Sequence, residues 1–257
     1  MDKRVIGLIA AMPEEINPFL RATGVCSREK IDGFEAWRFS LGIHEIRLIR
    51  SGMGVNNAAT ATRTLIDSAK PDLIINFGFA GAVASGLNVG DIVIAERLLL
   101  NRERSFLDQA GIDALKTEEL AGRLDGIFRD KEFHIRKGTF ITAAGIKCKQ
   151  DMAELLPAGV VNPVLEMETA AVARDSGKEN IPLIALRAIS DGAEEELEFA
   201  IEEFTDRELN IRLWKVLLTI VKKPWILPQL LRLAKNSRSA GNNLAAVLVV
   251  LLEIIRE

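Results

Sequence analysis

At 257 residues the chain suits one large α/β domain, and 48% apolar residues allow it a sizeable core. A formal net charge of −3 gives no general attraction to nucleic acid. Two cysteines, Cys26 and Cys148, far apart and without metal-ligand spacing, argue against a disulfide framework and for a reducing cytosol.

The elements alternate along the chain. VIGLIAA, residues 5–11, is a continuous apolar run, the pattern of a strand covered on both faces. Its short apolar stretch ends in acids, so it reads as a first strand and not a secretory leader. PEEINPFLRATG follows, with Pro13 placed to open a helix and Gly24 to end it. FEAWRFSLG and HEIRLIRSG pair as a hairpin, and GMGVNNAATATRTLIDSAK is a glycine turn leading into a helix. PDLIINFG and DIVIAERLLL are buried strands, DALKTEELAGRLDGIF a helix, FHIRKGTFITA a strand and DMAELL a short helix. VVNPVLEM is then a strand, ETAAVARDSG a helix, IPLIALRAISD the last buried strand, and EFAIEEF opens a helix. The order predicts a single α/β domain of three layers, with a central mixed sheet and helices on both faces. No run of about 18 apolar residues occurs, so no spanning helix is expected.

In such a sheet ligands gather at the carboxyl ends of the strands. There the sequence places Met12-Pro13-Glu14-Glu15, Ser51-Gly52-Met53-Gly54, Phe77-Gly78-Phe79-Ala80-Gly81, Glu166-Met167-Glu168, and Arg187-Ala188-Ile189-Ser190-Asp191. Taken singly, Glu14 and Glu15 suit the positive end of a helix dipole, Asp191 a helix cap, and the glycine pairs plain turns. His44 and His134 read as structural, and no Ser/His/Asp, Cys/His or Walker pattern is present. Carboxylates without a histidine partner do suit cleavage of a glycosidic bond, in which one acid protonates the leaving group and another activates water. Methionine packs on a sugar without making hydrogen-bond demands of its own.

IGLIAAMPEEI, SGMGVNNAATAT, PDLIINFGFAGAV with VGDIVIA, LEMETAAVA, and IPLIALRAISD occur in that order over roughly residues 5–204. Together they resemble the nucleoside phosphorylase superfamily, and in particular its 5′-methylthioadenosine/S-adenosylhomocysteine nucleosidases; EMETAAVA with RAISD is the specific part. The resemblance implies a phosphorylase/hydrolase-like fold over residues 1–204 and hydrolytic release of adenine from a 5′-modified nucleoside, without cofactor or metal. It implies Glu15 as the base for water, and Asp191 as donor to purine N7 with Ser190 in support. Glu168 would hold the ribose hydroxyls, with Met167 under the sugar and Glu166 nearby. Met12 and Met53 would line the ribose, Gly81 the turn against it, and Arg187 would support the loop. It also implies a homodimer in the cytoplasm.

Phosphorylases of this kind hold phosphate with arginines in the first loop and in the PDLIIN-type strand. Here the first loop is AAMPEE and the strand position is Asn76, which favours water, since a phosphate beside Glu15 would lack a guanidinium. Three further positions depart from the nucleosidase pattern. Phe79 replaces a serine, Ile146 an aromatic residue expected against the base, and Ile201 a phenylalanine. The segment after DIVIAE, which crosses the dimer in the family, is short, and Phe106 is its candidate replacement.

Residues 205–257 carry nine Lys+Arg against four Asp+Glu, an opposite balance to the acidic body. They read as a helical extension packed on the body. An inserted segment over about 205–233, with Trp214, Trp225, Lys215, Lys222, Lys223 and the breakers Pro224 and Pro228, precedes a closing helix. The insert suits either helical packing or peripheral contact with a membrane surface. Two alternatives stand beside the adenine nucleosidase reading: a lipid-linked adenine nucleoside such as adenosylhopane as substrate, and a non-catalytic nucleoside-binding protein.

Overall fold

The computed structural model describes residues 4–25, 27–102, 105–145, 149–194 and 227–255. In chain order the elements are β1 (Val5–Ala10), α1 (Pro13–Thr23), β2 (Glu29–Ile31), β3 (Phe34–Leu41), β4 (His44–Arg50), α2 (Val55–Ala69), β5 (Leu73–Ala82) and β6 (Ile92–Arg102). Then come β7 (Ser105–Gln109), α3 (Ala114–Phe128), β8 (Ile135–Thr142), α4 (Lys149–Leu155), β9 (Val164–Glu166), α5 (Thr169–Lys178), β10 (Leu183–Asp191) and α6 (Leu227–Ile254).

The strands join in one mixed sheet, with α1, α3 and α6 on one face and α2 and α5 on the other, the three layers expected. The apolar runs explain why. In β1, Ile6, Leu8 and Ala10 enter the core under α1 and α6, while Ile9 enters the core under α2 and α5. β5, β6 and β10 divide their residues in the same way, so each needs apolar side chains on both faces. β1 lies parallel to β4 and β5, and β5 parallel to β10, so the carboxyl ends of all four share one edge.

The sheet also closes on itself. β10 bonds both β5 and β6, β6 bonds β8, β8 bonds β9, and β9 returns to β5. The closing strand has only three residues, fewer than VVNPVLEM suggests. Pro163 has no N–H to give a ladder; its carbonyl instead accepts from Val83 N at 2.9 Å.

α6 presents Ala240, Gly241, Leu244, Ala245, Leu248, Leu251 and Leu252 inward at helical spacing. Pro228 falls in its first turn, where a missing N–H costs little. The contact with α1 is close. Pro18 cannot supply the N–H that would bond the Glu14 carbonyl, and that carbonyl faces Gly241. A Cβ at Gly241 would lie 3.0 Å from Glu14 O, 3.2 Å from Pro18 Cγ and 3.5 Å from Phe79 Cζ. Gly241→Val is therefore expected to destabilise the protein by about 2 kcal/mol through overpacking. It should also slow turnover, because α1 carries Glu15. A melting curve and a kcat on the same preparation check both; an unchanged kcat would separate α6 from the site.

Candidate active site

Glu15 is the third residue of α1, yet it is buried while its neighbour Glu14 is exposed. Its Oε2 accepts from the N–H groups of Ala11 and Met12, both at 2.8 Å, and its Oε1 from Phe79 N at 2.8 Å. A carboxylate has about four acceptor positions, so one remains on Oε1. The close approach depends on Gly78, where a Cβ would stand 2.6 Å from Oε1. Burial pushes the Glu15 carboxyl up, against the backbone donors and the Arg187 charge that pull it down.

Glu166 closes β9 and is satisfied wholly by the protein. Oε2 accepts from Glu168 N at 2.9 Å, Thr169 N at 2.8 Å, Thr169 Oγ1 at 2.7 Å and an Arg187 terminal nitrogen at 2.7 Å, while Thr142 Oγ1 donates to Oε1. Its desolvation, the largest influence, favours the neutral acid. Arg187 and the hydroxyl and amide donors outweigh it and hold the carboxyl below its ordinary range. Arg187 is 1% exposed and engaged through its two terminal nitrogens, while its buried Nε has no hydrogen-bond partner among the described residues. It donates to Asn76 Oδ1 at 2.8 Å, Thr169 Oγ1 at 2.9 Å and Leu186 O at 3.0 Å, and lies 5.7 Å from the centre of the Phe140 ring. Neither residue is turned outward; together they brace the loop that carries Glu168.

Glu168 precedes α5. Its Oε1 accepts from Gly54 N at 2.8 Å and its Oε2 from Met167 N at 3.3 Å, with Arg187 3.9 Å away. Gly54 takes φ 94, a backbone few other residues adopt, and this aims its N–H at the carboxylate. Burial, and then the charge of Glu166, push Glu168 up to about 7. Met12 and Met167 lie near these acids in sequence, Met53 precedes the Gly54 that bonds Glu168, and all three are half-buried.

Asp191 ends β10. Its Oδ1 accepts from Ser190 Oγ at 2.7 Å, and its Oδ2 from Lys149 Nζ. Gly81 makes room for the pair, since a Cβ there would stand 2.6 Å from Asp191 Oδ2 and 2.8 Å from Lys149 Cε. Gly78 and Gly81 are three residues apart on β5, roughly 10 Å of extended chain. The Glu15 and Asp191 carboxyls thus approach one strand at two separated points, with Glu168 braced from β9.

Phe79 contributes to the site through its N–H; its ring packs in the core towards α6. Ile146 and Ile201 lie outside the described residues, as does the insert up to residue 226. Phe106 lies on β7 and packs on the cluster of Val83, Leu99, Ile141 and Met152 of its own chain. Sequence reasoning did not single out Thr142, Thr169 or Lys149, and noted Asn76 only as a missing arginine. Thr169 sits inside the EMETAAVA motif and was the one open to discovery there.

Comparison with known proteins agrees with this architecture. Residues 5–222 match the phosphorylase superfamily. A 5′-methylthioadenosine/S-adenosylhomocysteine nucleosidase of Staphylococcus aureus is 27% identical over 215 residues, covering 79% of this chain and 93% of the relative. The Helicobacter pylori nucleosidase of the same name superposes with a TM-score of 0.73 at 19% identity, over 99% of this chain and 100% of that one. The futalosine hydrolase of Helicobacter pylori superposes with a TM-score of 0.72, also at 19% identity, over 98% of each chain. The structural likenesses establish a shared fold, and the sequence match spans the strands and loops that carry Glu15, Glu168 and Asp191: the chain belongs to the phosphorylase superfamily.

Proposed function

We propose that the protein hydrolyses the N-glycosidic bond of a 5′-modified adenine nucleoside, of the methylthioadenosine or S-adenosylhomocysteine type, and releases adenine. The observation that carries this is the charge balance around Glu15. Among the described residues, Glu15, Glu166 and Glu168 stand against the guanidinium of Arg187, whose terminal nitrogens are already engaged by protein groups. A surplus of carboxylate stabilises a cationic ribosyl group and repels a phosphate dianion. The named relatives in Staphylococcus aureus and Helicobacter pylori support the same reading.

In this mechanism the C1′–N9 bond breaks and its electron pair passes to the purine, while Asp191 hands a proton to N7. The ribosyl cation is held through its hydroxyls by Glu168, which keeps acceptor positions beyond those used by Gly54 and Met167. Water sits at the remaining acceptor position of Glu15, attacks C1′ and gives that carboxylate its proton. Met12, Met53 and Met167 flank the sugar. Glu166 and Arg187 act on substrate only by fixing Glu168. The partner is a small molecule, and the active species is a homodimer. Residues 1–204 form the catalytic body and 205–257 an extension, whose described helix, α6, packs on α1. Among the described residues no helix is long and apolar enough to cross a membrane.

Release of adenine from methylthioadenosine and S-adenosylhomocysteine, with and without phosphate, tests the proposal. Release at the same rate in both buffers is expected. A rate that requires phosphate would overturn the hydrolase assignment, and no release from any purine nucleoside, futalosine included, would overturn the catalytic one.

A further inference from the structure

Lys149 opens α4 and reaches the end of β10, 42 residues further along the chain. Its ammonium donates to Asp191 Oδ2 and to Gly192 O, the latter at 2.8 Å, and its side chain is 10% exposed. Burying an ammonium is costly unless a partner compensates. Here the partner is the carboxyl that must deliver a proton to the leaving base, and Gly81 is shaped to admit both. With Ser190 on Oδ1 and Lys149 on Oδ2, Asp191 accepts on both oxygens. The mobile proton at this edge of the site is therefore the one in the Lys149–Asp191 hydrogen bond.

We infer that Lys149 is the positioning and proton-supplying partner of Asp191, so that the leaving purine is protonated from a Lys149–Asp191 pair and not from the aspartic acid alone. This rests on the reading of Asp191 as the base-side acid. As the C1′–N9 bond breaks, N7 takes the proton from Asp191 Oδ2, and Oδ2 takes one from Lys149 Nζ, leaving a neutral amine beside a carboxylate. The attacking water leaves its proton on Glu15. When products depart, Glu15 returns that proton to solvent and Lys149 regains one. Nucleoside and water thus become base and free sugar with no net change in the enzyme.

The test compares wild type with Lys149→Met and Lys149→Arg on two leaving groups. Methylthioadenosine needs a proton on its base, whereas 4-nitrophenyl β-riboside leaves as a phenolate that needs none. Lys149→Met should slow adenine release by about 100-fold, in the range of a lost general acid, mainly in kcat and not KM. Lys149→Arg keeps the cation and the ion pair, so it folds, but a guanidinium does not give up its proton; it should fail to restore adenine release. In both variants the ratio of nitrophenol to adenine release should rise roughly 30-fold or more. Recovery by Lys149→Arg, or an unchanged ratio, overturns the role of Lys149 while adenine release by wild type stands. Absence of base release from wild type overturns the underlying hydrolase reading, and this inference with it.

Discussion

Glu168→Gln is expected to make the protein more stable and much less active. The side chain is buried beside Glu166, and its carboxyl titrates at about 7 in place of the usual 4.5. A raised carboxyl pKa means that the folded chain holds a proton more tightly than the unfolded one. Stability from this group is therefore complete below about pH 4.5 and is lost as pH rises through about 7, by about 3 kcal/mol in all. Glutamine keeps an oxygen for Gly54 N and carries no charge, so it escapes the loss. At pH 8 the variant should melt roughly 6–12 °C above wild type, and at pH 4 the two should nearly coincide. Turnover should fall by about 100-fold, the loss of charged acceptors for the ribose hydroxyls. For wild type the same titration predicts activity that declines as pH falls through about 7, where Glu168 takes up its proton. Equal melting temperatures at pH 8 would mean that the paired acids do not repel in the folded state. Full activity would remove Glu168 from the sugar.

Asp191→Asn is expected to cost 10²- to 10⁴-fold in turnover, the usual contribution of a general acid, while leaving the fold intact. The amide matches the carboxyl in shape and can still accept one hydrogen bond, but it has no proton to exchange. Circular dichroism and a melting curve establish that the variant is folded, and initial rates of adenine release give the loss. Turnover like that of wild type would take the acid role away from Asp191, and with it any part for Lys149.

Much of this architecture was written in simple patterns. β1, β5, β6 and β10 are continuous apolar runs because both faces of each are covered. α1 carries its own start and stop signals in Pro13 and Gly24, the latter with φ 69. Other features depend on contacts far apart in sequence, which local pattern does not encode. Lys149 meets Asp191 only because α4 and β10 reach the same end of the ring of strands. Glu166 and Glu168 are two residues apart and chemically alike, yet their environments push them in opposite directions: Arg187, Thr142 and Thr169 outweigh burial at the first, while at the second burial and its neighbour's charge outweigh Arg187 and the Gly54 N–H. Phe79 looked like a substituted pocket residue, and its position between α1 and α6 shows a side chain recruited by the core. Gly241, within the apolar α6, is accounted for only by the Glu14 carbonyl placed against it.

The closure of the strand ring bears on how the chain emerges from the ribosome. β5 is complete at Ala82, but β10, which covers one of its edges, ends at Asp191. Roughly 100 residues separate the two, so at about 5–20 residues per second that edge waits about 5–20 s for its partner. β6 waits for β10 too, and β9 must be inserted before the circle is whole. During synthesis the most apolar strands of the protein therefore present open backbone, the form of surface on which strands of other chains add. Proteins made this way depend on a chaperone-rich setting or a slow supply of nascent chains, and overexpression at high temperature is where this one should first be lost to inclusion bodies.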